Sequence, residues 1–291
     1  MKAPPFAYVR ATSLTNAFNL WRDAGPEAKL LAGGQSLLAT LAFRLSEPST
    51  LVDISNVSEL RGIAQKAAAI RIGALTTHAE LGAHELVRRH VPLLAEAVPL
   101  IAHAAIRNRG TIGGSLAFAD PAAELPACCV ALDAVIVARN AADERRIPAA
   151  EFFTGLYTTA LRPHELISAI EFPVAKPGER STIIELARRS GDYAMAGIAA
   201  RAKIAGTTLV DPRLVFFGVG DGPVVAERAM ATAGGKQVMP ETIATAQAAL
   251  DSDLDPAADQ HGSPDMKRHL ARVLLSRALN RLAGREEARA A

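Results

Sequence analysis

The chain has 291 residues, 49% hydrophobic and 21% charged, the composition of an ordinary globular protein long enough for two domains. A net charge of +2 without any basic block argues against a nucleic-acid partner. No apolar run reaches the about 20 residues of a membrane span, and no signal-like stretch opens the chain, so a cytoplasmic protein is expected.

Ser13 reads as a helix N-cap, because Leu14, Ala17, Phe18 and Trp21 then recur on one helical face until Gly25-Pro26 stops it. "AKLLAGG" reads as a short strand entering a glycine turn, "LLATLAFRL" as a helix and "TLVDIS" as another strand, giving a compact unit over residues 1–56. From Val57 the pattern changes. "AIRIGALTTHAELG" alternates like a strand, and helical spacing then runs through "ELVRRHVPLLAEAVPLIA". "AVIVAR", "RIPAAEFF" and "ELISAIEFPV" read as strands, and "AKPGERS", 175–181, as a linker. Beyond it "TIIELARR", "AGIAARAKIA", "TLVDPRLVFFGVG" and "VVAERA" suggest an antiparallel sheet. A last helix is expected near Met266–Leu282, with Leu270, Val273, Leu274, Ala278 and Leu282 on one stripe.

The two cysteines, Cys128 and Cys129, are adjacent, which suits a buried reduced pair and no disulfide. A chain with only these two thiols cannot itself hold an iron–sulfur cluster or a cysteine zinc site, and no metal site is expected.

Two segments share a pattern of small residue, glycine pair, polar residue and serine: "AGGQSL", Ala32–Leu37, and "TIGGSL", Thr111–Leu116. Glycine pairs leave backbone N–H groups uncovered, and successive N–H groups in a turn form an anion-binding concavity. Gln35, Ser36, Thr111 and Ser115 add side-chain donors. Neither segment is a Walker loop or a GxGxxG motif. "GVGDGP", Gly218 to Pro223, carries proline where a helix should open, and reads as a turn at a strand end.

At this point the residues carry a likeness. "LLAGGQSLLATLAFRLSEPSTLVDIS" with "AAIRNRGTIGGSLAFADPAAELPACCVALDA" resembles the FAD-binding medium subunit of the molybdenum hydroxylases, the group of carbon monoxide and xanthine dehydrogenases. "RRSGDYAMAGIAA" and "HGSPDMKRHLARVLLSRAL" extend the likeness over nearly the whole chain. The resemblance implies an α+β fold: a vanillyl-alcohol-oxidase-type FAD domain over residues 1–176, in subdomains 1–56 and 57–176. A carboxy-terminal domain, 177–291, follows, with a three-stranded antiparallel sheet and helices. It implies non-covalent FAD. Its diphosphate would be held by Ala32, Gly33, Gly34, Gln35, Ser36 and Leu37, and by Thr111, Ile112, Gly113, Gly114 and Ser115. Glu124 matches an acidic position toward the adenosine ribose, with Asp120 in indirect contact; Leu166 and Ile101 match apolar positions against the flavin nucleotide, and Tyr193 a position flanking the isoalloxazine.

The resemblance further implies a molybdenum–pterin centre on a large partner subunit and [2Fe–2S] clusters on a small one, in a dimer of heterotrimers. No residue of this chain is then expected to be catalytic. Three positions depart from the family pattern: Ala39 stands where proline is usual, Phe118 where a polar residue is common, and Met195 near a lysine of the xanthine enzymes. His103 reads as structural, and Arg107, Asn108 and Arg109 as helix-capping or interface residues. Two rival readings stand beside this one: a free-standing flavin oxidase of the same fold, and a non-enzymatic interaction protein whose glycine segments are only turns.

Overall fold

The computed structural model describes residues 2–285, so the tail after Arg285 lies outside the described residues. Three sheets organise the chain. The first contains the expected α1 (Leu14–Asp23), β2 (Lys29–Leu31), α2 (Leu37–Ala42) and β3 (Thr50–Asp53), preceded by a strand not expected from the sequence, β1 (Ala7–Arg10), with parallel strands in the order β1-β3-β2. Ser13 Oγ accepts the Asn16 amide at 3.1 Å and starts α1, which buries Leu14, Ala17 and Phe18.

The second sheet is antiparallel, in the order β4-β5-β10-β6-β7. It comprises β4 (Ile63–Lys66), β5 (Ala69–Gly73), β6 (Val135–Arg139), β7 (Glu144–Pro148) and β10 (Leu166–Pro173), with a two-stranded hairpin, β8 (Phe153–Gly155) and β9 (Thr158–Thr159), before β10. Between β5 and β6 run α3 (His78–Ala83), α4 (Glu85–His90), α5 (Pro92–Ala97), α6 (Ala104–Arg107), α7 (Ile112–Phe118) and α8 (Glu124–Ala131), and α9 (Ala149–Phe152) follows β7. The helical spacing read through "ELVRRHVPLLAEAVPLIA" is interrupted at Val91, because Pro92 has no N–H to continue α4 and instead opens α5. "RIPAAEFF" is strand only to Pro148, for the same reason: the ladder with Val135 ends there and Ala149–Phe152 turns helical. Helix α8 is buried from Leu125 to Ala131. Cys128 and Cys129 are free and fully buried, and burial pushes both thiols up.

The third sheet is antiparallel and contains β11 (Glu179–Leu186), β12 (Ala196–Ala205), β13 (Thr208–Phe217) and β14 (Val224–Val225). Three strands are long, as expected; the two-residue β14 is a fourth. "GVGDGP" is the irregular link between β13 and β14, with Gly218 at φ +75°. Helices α10 (Glu227–Ala233), α11 (Pro240–Asp253) and α12 (Pro264–Leu282) complete the unit. "VVAERA" therefore corrects to a short strand followed by a helix start. The Asp253 carboxylate accepts the amides of Arg228 and Ala229 at 3.0 and 2.9 Å, which satisfies the first turn of α10.

Side chains of this sheet alternate between two cores. Ile198, Ala200, Leu214 and Phe216 face α10–α12, whereas Ala199, Val215 and Phe217 join the core around α8. On α12 the buried stripe centres on Leu274, Ala278 and Leu282 as read, with Leu275 and Leu279 buried beside them; Leu270 and Val273 are half-buried. Arg201 fastens the second and third units together: its guanidinium donates to Ala131 O at 2.9 Å and pairs with Glu179 at 3.3 Å and Asp133 at 2.5 Å. Among the described residues no helix is long and apolar enough to cross a membrane.

Candidate functional site

A cleft of about 670 Å³ opens where the three units meet, and both glycine segments line it. That volume suits a small-molecule or cofactor site, roughly 300–1,000 Å³. The first segment leaves β2 and reverses into α2 at Gly34, whose φ of +73° glycine adopts without penalty. Among the described residues none accepts a hydrogen bond from the amides of Gly33, Gly34, Gln35 or Ser36. The Gln35 side chain donates to Gly33 O at 3.1 Å, and Ser36 precedes α2 without capping it. Four successive N–H groups are thus left to an external acceptor.

The second segment is not a turn. Gly113 and Gly114 lie in the first turn of α7, and Thr111 Oγ1 accepts the Gly114 amide at 3.1 Å as the N-cap. The Ile112 amide donates to Thr76 O at 3.0 Å, that of Gly113 to Ala74 O at 2.8 Å, and that of Ser115 to Thr111 O at 3.0 Å. These amides hold the helix against the end of β5. Gly113 is required by that contact, since an added Cβ would stand 2.5 Å from the Ala74 Cβ. Gly33 is required by another: its Cβ would lie 2.1 Å from Arg109 O, so the first segment touches the main chain just ahead of the second. At Gly114 an added Cβ meets only Thr111 Oγ1, at 2.9 Å, and the surface beside it is bare.

Ala32, Gly33, Gly34, Gln35, Ser36, Leu37, Ile101, Thr111, Gly113, Gly114, Ser115, Glu124, Leu166 and Tyr193 all line the cleft. Ile112 and Asp120 do not. Ile112 is fully buried in the core beneath α7, and the Asp120 carboxylate accepts the Ala122 amide at 2.9 Å to form a turn ahead of α8. Ile101 and Leu166 are buried apolar wall, whereas Tyr193 reaches over the cleft from the third unit and stays 58% exposed. Glu124 is the first residue of α8, and burial pushes its carboxyl up to about 7, with the Asp120 charge adding to the shift. Burial raises Asp120 as well. Arg107 donates to Ile101 O at 2.8 Å and Ala102 O at 2.7 Å, so it braces the bend where Ala102 holds φ +40°.

Sequence reasoning missed several wall residues: Trp21, Lys29, His78 and the turn Arg162–Glu165. Trp21 was read as helix core, yet its ring sits edge-on to His164 at 5.2 Å between centroids. His78 is buried beneath Gly110, and burial lowers its pKa. The one signal that pointed at Lys29 is its place on the strand directly before "LLAGG".

The bare main chain, the open amides and the raised acid Glu124 in the same cleft fit a dinucleotide better than an apolar ligand. Comparison with known proteins agrees. Residues 4–175 match the family described as the FAD binding domain in molybdopterin dehydrogenase, and 181–282 the CO dehydrogenase flavoprotein C-terminal domain. The 6-hydroxypseudooxynicotine dehydrogenase complex subunit alpha of Paenarthrobacter nicotinovorans is 39% identical over 96% of this chain and 95% of its own length. Among solved structures, carbon monoxide dehydrogenase from Hydrogenophaga pseudoflava superposes with a TM-score of 0.93 at 37% identity, covering 96% of this chain and 98% of that one. Quinoline 2-oxidoreductase from Pseudomonas putida 86 gives a TM-score of 0.92 at 38% identity, covering 98% and 99%. The chain therefore belongs to the family of FAD-binding medium subunits of molybdenum hydroxylases, oxidoreductases that include the carbon monoxide and xanthine dehydrogenases.

Proposed function

We propose that this chain carries FAD non-covalently as the electron-transfer subunit of a cytoplasmic molybdenum hydroxylase. Electrons arrive from [2Fe–2S] clusters on a small partner subunit and leave to an external acceptor. The observation that carries this reading is the run of four unpartnered amides, Gly33 to Ser36, beside the bare face at Gly114. Those amides donate to the diphosphate, and the hydroxyls of Thr111 and Ser115 complete the cradle. Ala32 and Leu37 bound it. Ile112 anchors α7 from below, which fixes where Gly113 and Gly114 stand, and Asp120 shapes the turn that presents Glu124.

Glu124, half protonated near neutrality, can donate to or accept from ribose hydroxyls. Ile101 and Leu166 supply apolar packing, and Tyr193 flanks the ring system and shields it from water. FAD, when bound, accepts electrons singly and passes them on singly or in pairs; position and electrostatics are the protein's share. No side chain here needs to break a bond. Residues 1–176 form the flavin-carrying part in this reading, and 177–291 supply Tyr193 and a docking body. The large partner holds the molybdenum–pterin centre, and the assembly is a dimer of heterotrimers. The relatives named as a complex subunit alpha and as medium chains support a multi-subunit setting.

The test is the complex purified from its host through a tag on this chain. One FAD per chain, with iron and molybdenum on the co-purifying subunits, is the expected result; a complex without flavin overturns the proposal. Gly114→Val sharpens the assignment. Its new Cβ meets only Thr111 Oγ1, and its methyls stand on the bare face, so the fold is expected to persist while the cradle is blocked, and flavin content to drop to near zero by absorbance at the flavin bands. Full flavin content in that variant rules out the cradle as drawn.

A further inference from the structure

We infer that the Arg145–Glu165 pair is a positioning latch that holds one wall of the cleft in the shape a bound flavin nucleotide requires; this rests on the flavin reading above. The wall runs from Leu161 to Leu166, between β9 and β10, without regular secondary structure before β10 begins. It needs outside support, because His164 holds φ +59°, a left-handed conformation unfavourable for a residue with a Cβ.

Arg145 on β7 supplies that support at both ends. Its Nε and Nη2 donate to the Glu165 carboxylate at 3.1 and 2.6 Å, and Nη2 also donates to Ala160 O at 2.8 Å. The same carboxylate accepts the Arg162 amide at 2.8 Å, and the Glu165 amide donates back to Arg162 O at 3.0 Å, closing the turn. The Glu165 side chain is 3% exposed and that of Arg145 29%, so the carboxylate is shielded while the guanidinium borders solvent. A half-buried ion pair adds little net stability but fixes geometry, since few arrangements satisfy all its donors and acceptors. The latch has a built-in reporter. His164 sits in the turn it closes and meets Trp21, the only tryptophan of the chain.

Two variants test the latch: Glu165→Gln, which keeps an acceptor for the Arg162 amide, and Arg145→Lys, which keeps the charge without the fork. Two readouts are taken: flavin dissociation from the purified complex, and Trp21 emission from the full-length chain alone. Glu165→Gln is expected to weaken flavin binding about tenfold and shift Trp21 emission, and Arg145→Lys to do both to a smaller extent. Wild-type affinity and emission in both variants overturn the proposal. Weakened binding with unchanged Trp21 emission also overturns it, because the wall has not moved. Should no protein bind flavin while Glu165→Gln still shifts the emission, the flavin reading fails and the latch stands. Should Glu165→Gln not fold, Arg145→Lys decides alone by the same two measurements.

Discussion

The two glycine segments are near copies in sequence and opposites in structure. The first, Gly33-Gly34, is a true reversal whose amides find no acceptor among the described residues; the second, Gly113-Gly114, is the opening turn of a helix whose amides are engaged. One segment offers main-chain donors, and the other offers a smooth surface, two hydroxyls and a fixed distance. The lesson is that a glycine pair signals close approach of main chain, and only its hydrogen-bond bookkeeping tells whether the approaching group is a ligand or another part of the protein.

The largest effects expected are at the two contacts that define the pairing. Gly33→Ala drives a methyl into Arg109 O, and Gly113→Ala drives one into Ala74; each should cost about 3 kcal/mol in urea unfolding. A loss below about 1 kcal/mol would mean that Gly33 is not pressed against the chain leading into α7, or that Gly113 is not pressed against Ala74. Gly34→Ala comes next. Its neighbours are the flexible tips of Leu31 and Leu38, so the left-handed φ dominates and the expected loss is about 1 kcal/mol.

The caps separate the two segments further. Thr111→Ala removes the side-chain cap of α7 and should cost about 1 kcal/mol, whereas Ser36→Ala removes no cap and should leave stability unchanged. Equal losses in thermal melts would erase the distinction. A further, electrostatic effect belongs to the second segment's side. Glu124 rises from 4.5 to about 7 in the folded chain, so the folded state keeps a proton that the unfolded state gives up across that window. Stability from this group is complete below pH 4.5 and is lost as pH climbs through 7. Glu185, raised to about 8 by burial and by Glu124, extends the loss upward. Glu124→Gln should therefore match the wild type at pH 4.5 and exceed it in melting temperature above pH 7. A constant difference across the range would reject the buried-acid assignment.

Much of the architecture was legible because local signals and tertiary structure agree. Ser13 caps α1 where the periodicity begins, and the long strands of the third sheet keep their apolar alternation. The opening turn of α7 was illegible because two glycines oppose a helix; bonds to Ala74 and Thr76 impose it. The start of α10 depends on Asp253, and the buried stripe of α11, Ile243, Ala246 and Leu250, is masked by the alanines elsewhere on the helix. Within the cleft, the glycine segments announced themselves by pattern. Trp21, His164 and Glu165 did not, since each owes its place to a partner far along the chain.

Gly191, Asp192 and Tyr193 come from the connection between β11 and β12, while the remaining walls come from the first two units. A nucleotide seated among them would touch all three units, two of which already share the core around α8. Its departure would loosen chiefly the seam to the first unit, whose core is separate from that one, so flavin occupancy should govern how stiffly that unit rides on the rest.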